Sequence, residues 1–131
     1  MPILKVSLSG QADAARSAAV AAVLARLTAS ILHKDAALTS IALTHVDPQH
    51  WFVGGAALAE SGKSSFFLDI LITDETNTAR EKSAYIAAVF AAMADLLGDL
   101  HDVSYVHVHD ARAAAWGYGG LTQQFRAVRA V

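Results

Sequence analysis

Cysteine is absent from the 131 residues of this chain, which excludes a disulfide framework and any catalysis by a thiol. Charge is also sparse. Charged residues make up 17% of the chain and the formal net charge is -2, so we expect no nucleic-acid or membrane partner. The first residues lack the basic segment and long apolar run of a secretion signal, and no apolar stretch is continuous enough to span a bilayer. The simplest expectation is a cytoplasmic protein.

Hydrophobic residues are abundant, at 54% of the sequence. This composition is typical of a compact globular protein, and 131 residues are enough for one domain with a real core. The alanine excess lies mostly in two helix-like segments, where it fills helix positions. We therefore treat residues 1–131 as a single domain.

The first half of the chain predicts a strand, a helix and a second strand. Residues 2–9 alternate in the manner of a strand, and residues 13–33 predict an amphipathic helix with Asp13 as its N-cap. The apolar stripe of that helix consists of Val20, Val23, Leu24, Leu27 and Ile31. LTSIALTHV (38–46) predicts the second strand, DPQH turns the chain, and WFVGG (51–55) closes the unit.

The second half repeats this order. SSFFLDILIT (64–73) and VSYVHVHD (103–110) predict two more strands, and Thr78 with Glu81 matches a capping box that begins a helix between them. The apolar stripe of this helix consists of Ile86, Val89, Phe90, Met93 and Leu97, and Gly98 follows it as a stop signal. WGYGG (116–120) then mirrors the WFVGG of the first half.

These patterns predict an α+β (α/β) domain built from a duplicated βαβ unit. The first repeat covers about 2–55, the second covers about 64–120, and 121–131 form a C-terminal tail. Two such units predict a four-stranded sheet with both helices on one face.

Both faces of the predicted sheet carry apolar residues. Leu4, Val6 and Leu8 are predicted to lie opposite Ile3 in the first strand. In the third strand Phe66 and Leu68 are predicted to lie opposite Phe67 and Ile70. A sheet that is apolar on both faces needs cover on both, so we expect an oligomer.

Taken over its whole length, the chain resembles the tautomerase superfamily. The resemblance rests on PILKVSL at the start, LTSIALTHVDPQHWFVGG in the middle and VSYVHVHDARAAAWGYGG near the end. It implies a homotrimer whose sheets form a central barrel. It also implies a cofactor-independent keto–enol tautomerase, acting on a small keto or enol acid.

Pro2 is the residue on which that activity would depend. Removal of Met1 would leave Pro2 with a free secondary amine, which can take a proton from carbon and return it elsewhere. Apolar walls and nearby cations would favour the neutral amine. If Met1 stays, the nitrogen is an amide and cannot act as a base. The alternative is that Pro2 is simply tolerated as the first residue of a strand.

The arginines that hold carboxylates in the family are missing here. The matching places hold Gln11 or Ala12, and Ala42. After the third strand, Glu75 and Asn77 occupy places near two further family arginines, and Arg80 follows a few residues later. Because arginine forks are the natural grip for a carboxylate, a diacid substrate is less expected. Dehalogenase and decarboxylase activities are in doubt for the same reason.

The remaining site residues resemble the migration-inhibitory-factor branch. Tyr105 matches its active-site tyrosine and is predicted to be catalytic together with Pro2. Lys34, His107, Trp51 and Ile72 are predicted to bind the substrate. A phenol, an imidazole and an ammonium group could donate hydrogen bonds to an enolate or to a single carboxylate.

Each assignment has a structural alternative. Tyr105 could fill the core as a strand aromatic, and Trp51 could pack at an oligomer interface, which is our preferred role for Trp116. Lys34 could favour a helix dipole.

Two other functions stay open. His107, His109 and Asp110, with His45 or His101 as a further ligand, could bind zinc, although we predict no metal. The chain could also be a family member with decarboxylase or hydratase activity, or a binding protein without catalysis.

Overall fold

The computed structural model describes residues 2–129 of the chain. The expected removal of Met1 falls outside these residues. Twelve helices and strands are described in chain order, besides two single-turn 3-10 helices at Ala36–Leu38 and Pro48–His50. They are β1 (Ile3–Ser9), α1 (Ala14–Leu32), β2 (Ser40–Val46), β3 (Phe52–Val53), β4 (Ala56–Ala57), α2 (Leu58–Ser61), β5 (Phe66–Thr73), α3 (Ala79–Leu97), β6 (Tyr105–Ala111), β7 (Gly117–Tyr118), β8 (Leu121–Thr122) and α4 (Gln123–Arg129).

The four long strands form one sheet in the order β2-β1-β5-β6. β1 runs parallel to β2, and β5 runs parallel to β6, as the crossover helix in each repeat requires. The two repeats meet through an antiparallel pair, β1 with β5, in which Ile3 is opposite Leu71 and Ser7 is opposite Phe67. The predicted pair of βαβ units is therefore present, and the trimeric barrel stays a prediction.

Both long helices begin at the predicted caps. The Asp13 carboxylate accepts hydrogen bonds from the backbone N–H groups of Ala15 and Arg16. Thr78 and Glu81 form the predicted capping box, with each side chain bonded to the other residue's backbone N–H. These contacts satisfy backbone donors that have no partner inside the helix.

Helices α1 and α3 pack on one face of the sheet and form the core with it. Its fully buried side chains include Leu24 from α1, Val89 from α3 and Leu68 from β5. By length and composition alone, α1 is apolar enough to cross a membrane. This corrects the expectation that no segment passes that test. Alanine supplies much of that apolar character, and the larger apolar side chains of α1 pack into the core.

The opposite face of the sheet is more polar than predicted. Lys5, Asp69 and His107 lie side by side across β1, β5 and β6, and His107 Nδ1 is 3.1 Å from Asp69 Oδ1. Phe67 and Tyr105 are the large exposed side chains beside this row. The prediction that Ile70 lies on this face is wrong, because its side chain is fully buried in the core. The two-residue period of a strand places it with Phe66 and Leu68.

Two short hairpins with the same strand pairing and the same Gly-Gly turn follow the second strand of each repeat. The β3–β4 hairpin turns through Gly54–Gly55, and the β7–β8 hairpin turns through Gly119–Gly120. The first residue after each hairpin donates its backbone N–H to the carbonyl of the tryptophan that precedes the hairpin. Leu58 N–H donates to Trp51 O at 2.8 Å, and Gln123 N–H donates to Trp116 O at 2.9 Å. The duplication thus makes Leu58 and Gln123 equivalent positions.

Candidate active site

Pro2 lies buried at the start of β1, on the wall of a pocket of about 270 Å³. Its carbonyl accepts a hydrogen bond from the Ser40 N–H at 3.1 Å, which fixes the residue at the edge of the parallel pair. The remaining walls come from the segment before β2 and from the second hairpin. The residues that line the pocket with Pro2 are Ile3, Leu38, Ser40, Trp116, Gly117, Tyr118 and Gln123. A small and largely apolar space therefore adjoins the residue predicted to be the base.

Gly117 allows the two strands of the second hairpin to pack closely beside this pocket. A Cβ atom at this position would lie 1.9 Å from the backbone oxygen of Leu121, so no other residue fits without moving the hairpin. The equivalent residue in the first repeat is Phe52. The two repeats thus differ at the point where the second hairpin borders Pro2.

A second pocket, of about 320 Å³, lies next to the first and carries two cations. Lys34 and Arg126 both line it, and Gln123 lines both pockets. The Lys34 ammonium donates to Thr76 Oγ1 at 2.8 Å. Two positive groups therefore lie beside the Pro2 pocket, although the arginines of the family positions are absent.

The Arg126 guanidinium is held on the hairpin. Its Nη2 donates to the Tyr118 carbonyl at 3.0 Å, and its carbon lies 3.9 Å from the centre of the Tyr118 ring. Its Nε is buried and has no hydrogen-bond partner among residues 2–129. A guanidinium held in this way can offer its remaining N–H donors to an anion without further ordering.

Burial lowers the pKa of Lys34, because an ammonium group loses hydration in this pocket, while the carboxylates of Glu81 and Asp110 oppose the shift. Asp110 is itself paired with Lys82, whose Nζ lies 2.6 Å from Oδ2. The pocket makes an unpaired ammonium group unfavourable, so an anionic ligand beside Lys34 would stabilise its charged form.

Tyr105, His107 and Trp51 lie together in another place. They line a surface pocket of about 580 Å³ with Phe67 and Val106. Tyr105 is opposite Phe67, four residues along the β5 ladder from Leu71, which is opposite Ile3. By strand geometry, five residues along the sheet and two strands across it, this puts Tyr105 roughly 20 Å from Pro2 within one chain. The predicted catalytic pair is therefore not assembled by a single subunit.

The structure also bears on two other assignments. Ile72, predicted to bind substrate, is 0% exposed and belongs to the core. This corrects the prediction, because its side chain points toward the helices. The tryptophan that lines the Pro2 pocket in the same chain is Trp116, for which the sequence analysis favours a packing role.

The sequence did not single out Gln123 or Tyr118. A signal for both existed in the duplicated hairpins, since aligning WFVGG with WGYGG pairs Leu58 with Gln123 and Val53 with Tyr118. Such an alignment exposes positions where one repeat has an apolar residue and the other a polar or larger one.

The histidines are dispersed. His107 and His109 share one face, with ring centroids 5.6 Å apart, but Asp110 points to the helix side and binds Lys82. His45 lies 3.4 Å from Ser17 Oγ, and His101 accepts a hydrogen bond from the Val103 N–H. Within residues 2–129, no group of three or more metal-ligating side chains is arranged to hold an ion.

The places of the missing arginines have local structural roles. Asn77 donates its side-chain amide to the Leu32 carbonyl at 3.0 Å and so joins the end of α1 to the start of α3. Glu75 has a φ of 64° in the turn after β5. Arg80 and Ala42 are exposed.

No family model and no curated protein sequence matches the chain, but solved structures do. Native fused 4-OT has a TM-score of 0.80 and 26% identity over 95% of this chain and 98% of its own. Malonate semialdehyde decarboxylase inhibited by 3-bromopropiolate has a TM-score of 0.74 and 16% identity over 97% of this chain and 96% of its own. Leishmania major MIF2 has a TM-score of 0.76 and 16% identity over 93% of this chain and 97% of its own.

Further fused 4-OT structures are described as symmetric and asymmetric trimers. All of these proteins are members of the tautomerase superfamily. The resemblance found in the sequence is confirmed, and the chain has the fold of the tautomerase superfamily.

Proposed function

We propose that the protein is a keto–enol tautomerase that uses the amine of Pro2, freed by removal of Met1, as its general base. The observation that carries this proposal is the position of Pro2, which is buried on the wall of a small pocket beside a second pocket with two cations. Burial disfavours a protonated amine and leaves more of it as the free base near neutral pH.

The proposed substrate is a 2-oxo acid with a single carboxylate, or its enol. Lys34 and Arg126 would hold the carboxylate. Pro2 would take a proton from the carbon next to the carbonyl group and form the enolate, and the proton would then be delivered to the oxygen. In the other direction, the proton moves from the enol oxygen to carbon by way of the same amine. No atom is gained or lost in either direction.

We propose a homotrimer as the active form. The open face of the sheet leaves Phe67 and Tyr105 exposed, the latter by 66%, and exposed apolar surface of this kind needs a partner. The trimers described for fused 4-OT support the same arrangement. In such an assembly, Tyr105, His107 and Trp51 of one subunit would complete the Pro2 pocket of its neighbour.

The decisive experiment compares three forms of the protein on phenylpyruvate enol. Mass spectrometry first establishes that Met1 is absent from the native form. Pro2→Ala should lower kcat/KM by about two to four orders of magnitude, the usual size of a general-base contribution. A form that retains Met1 should lose activity similarly, because an amide nitrogen has no basic lone pair.

Circular dichroism serves as the control for folding, since only the first residue of β1 changes. Full activity in both altered forms would contradict the role of Pro2. A native protein that retains Met1 would favour the alternative of a binding protein without catalysis.

A further inference from the structure

Gln123 is a mostly buried polar residue that borders the Pro2 pocket. The residue as a whole is only 7% exposed, but its amide nitrogen and oxygen are not among the buried side-chain atoms of residues 2–129 that lack a hydrogen-bond partner. Its backbone N–H donates a hydrogen bond to Trp116 O at 2.9 Å. A polar side chain at a mostly buried position is unusual, because burying an amide is unfavourable unless it is hydrogen-bonded.

The duplicated fold shows that this amide is not required for the hairpin. Leu58 occupies the equivalent position in the first repeat, is 2% exposed and makes the same backbone bond to Trp51. The hairpin therefore forms with a leucine at this position. A polar group at the corresponding buried place in the second repeat calls for another explanation.

The position of Gln123 supplies that explanation. Its side chain lines both the pocket of Pro2 and the pocket of Lys34 and Arg126, and it is the residue common to the two. A ligand with its carboxylate at the cations and its reacting carbon at Pro2 would place the atoms between them against Gln123. In a 2-oxo acid, the group between the carboxylate and the reacting carbon is the carbonyl.

We propose that Gln123 is a substrate-binding residue whose side-chain N–H donates a hydrogen bond to the 2-oxo or enol oxygen of a monocarboxylic 2-oxo acid. The choice of ligand rests on the proposed tautomerase activity. In the enolate the same oxygen carries more negative charge, so the hydrogen bond strengthens as the proton leaves carbon. Gln123 thereby selects acids that carry an oxygen at this position.

The test measures binding, not turnover, with two acids that differ in one group. Phenylglyoxylate is a 2-oxo acid that cannot enolise, and phenylacetate has a CH2 group in place of its carbonyl. Gln123→Leu places in the second repeat the residue that the first repeat already has. It should weaken phenylglyoxylate binding by about tenfold, as expected for one lost hydrogen bond, and phenylacetate binding by less than about twofold.

Gln124→Leu is the matched control, because Gln124 is the exposed neighbour on the same helix. It should leave the affinity for both acids unchanged. Thermal unfolding checks that each variant is folded. If Gln123→Leu does not fold, Gln123→Glu carries the test: a carboxylate of the same size should weaken phenylglyoxylate binding by at least about tenfold through repulsion.

Three results would overturn the proposal. The first is equal affinity of the unmodified protein for the two acids, including no binding of either. The second is an equal loss of affinity for both acids in Gln123→Leu. The third is unchanged phenylglyoxylate binding in Gln123→Leu or Gln123→Glu. Because binding needs no proton transfer, the outcome is separable from that of Pro2. Tautomerisation that survives in Pro2→Ala would remove the proposed role of Pro2 as the base and leave the role of Gln123 in binding intact.

Discussion

The phenol oxygen of Tyr85 lies 2.8 Å from the hydroxyl oxygen of Thr28, and this contact joins α3 to α1 inside the core. Both residues are fully buried. Burial raises the pKa of Tyr85 to about 12, because a phenolate would lose its hydration there, and the hydrogen bond to Thr28 opposes part of the shift. Tyr85 therefore stays neutral in the folded protein at pH values where an exposed tyrosine ionises.

This difference predicts a loss of stability in alkali. Below pH 10 the phenol is neutral in both states and its contribution is complete. Between about pH 10 and about pH 12 the unfolded chain releases the proton and the folded protein does not, so the free energy of unfolding falls. The loss should reach about 3 kcal/mol, from a shift of about two units. Urea unfolding across this range measures it.

Tyr85→Phe is the control for that experiment. It should be less stable at neutral pH by about 1–3 kcal/mol, because the buried Thr28 hydroxyl loses its partner. Its stability should, however, lack the part of the alkaline decline that Tyr85 causes. An identical decline in both proteins would show that other groups control alkaline unfolding.

Gly117→Ala should damage the hairpin beside Pro2. The added Cβ would lie 1.9 Å from the Leu121 oxygen, so β7 and β8 must separate. We expect a loss of about 2–4 kcal/mol in stability, as for other severe steric conflicts, and a strong decrease in activity. Gly120→Ala is the matched control. It strains a backbone with φ of 81° but meets nothing within 4 Å, so it should cost about 1–2 kcal/mol.

Neutralising the two cations should raise KM more than it lowers kcat. Lys34→Met and Arg126→Met each remove a positive group from the second pocket, and we expect about a tenfold or greater rise in KM for phenylpyruvate, because a charged hydrogen bond is lost. Arg129→Met, on the same helix as Arg126, is the control.

The unmodified protein should also prefer phenylpyruvate to dicarboxylated muconates. A preference for the diacid would show that the two cations hold two carboxylates.

The sequence predicted the sheet and the long helices well, because these elements bury one face and therefore show a regular period. The strand at 2–9 and the helix at 13–33 are found at Ile3–Ser9 and Ala14–Leu32. The hairpin strands have two residues each, too few to show any period, and only the Gly-Gly turns pointed to them. The lower apolar content of the open face was missed for a related reason. Its polar row comes from three separate strands and is visible only once they are in register.

The candidate site was harder to predict because the two repeats look alike in sequence. Spacing alone makes Trp51 and Trp116 equivalent. The antiparallel pairing of β1 with β5 separates them: it brings the end of β6, and with it Trp116, to the end of the sheet where Pro2 lies. Trp51 follows β2 and lies at the other end, near Tyr105. Strand order, which periodicity does not determine, thus decides which aromatic residue lies near the proposed base.

The same separation gives a sharp test of the proposed trimer. If Tyr105 of one subunit serves Pro2 of its neighbour, Pro2→Ala and Tyr105→Phe should each be nearly inactive alone. Refolded together in equal amounts, they should recover about a quarter of the normal activity, because a site is complete when an intact Pro2 meets an intact Tyr105 from the next subunit. If both groups came from one chain, every site in the mixture would still lack one of them, and activity would not return. Light scattering on each variant shows whether the assembly is preserved. Full activity of Tyr105→Phe alone would contradict a catalytic role for the phenol.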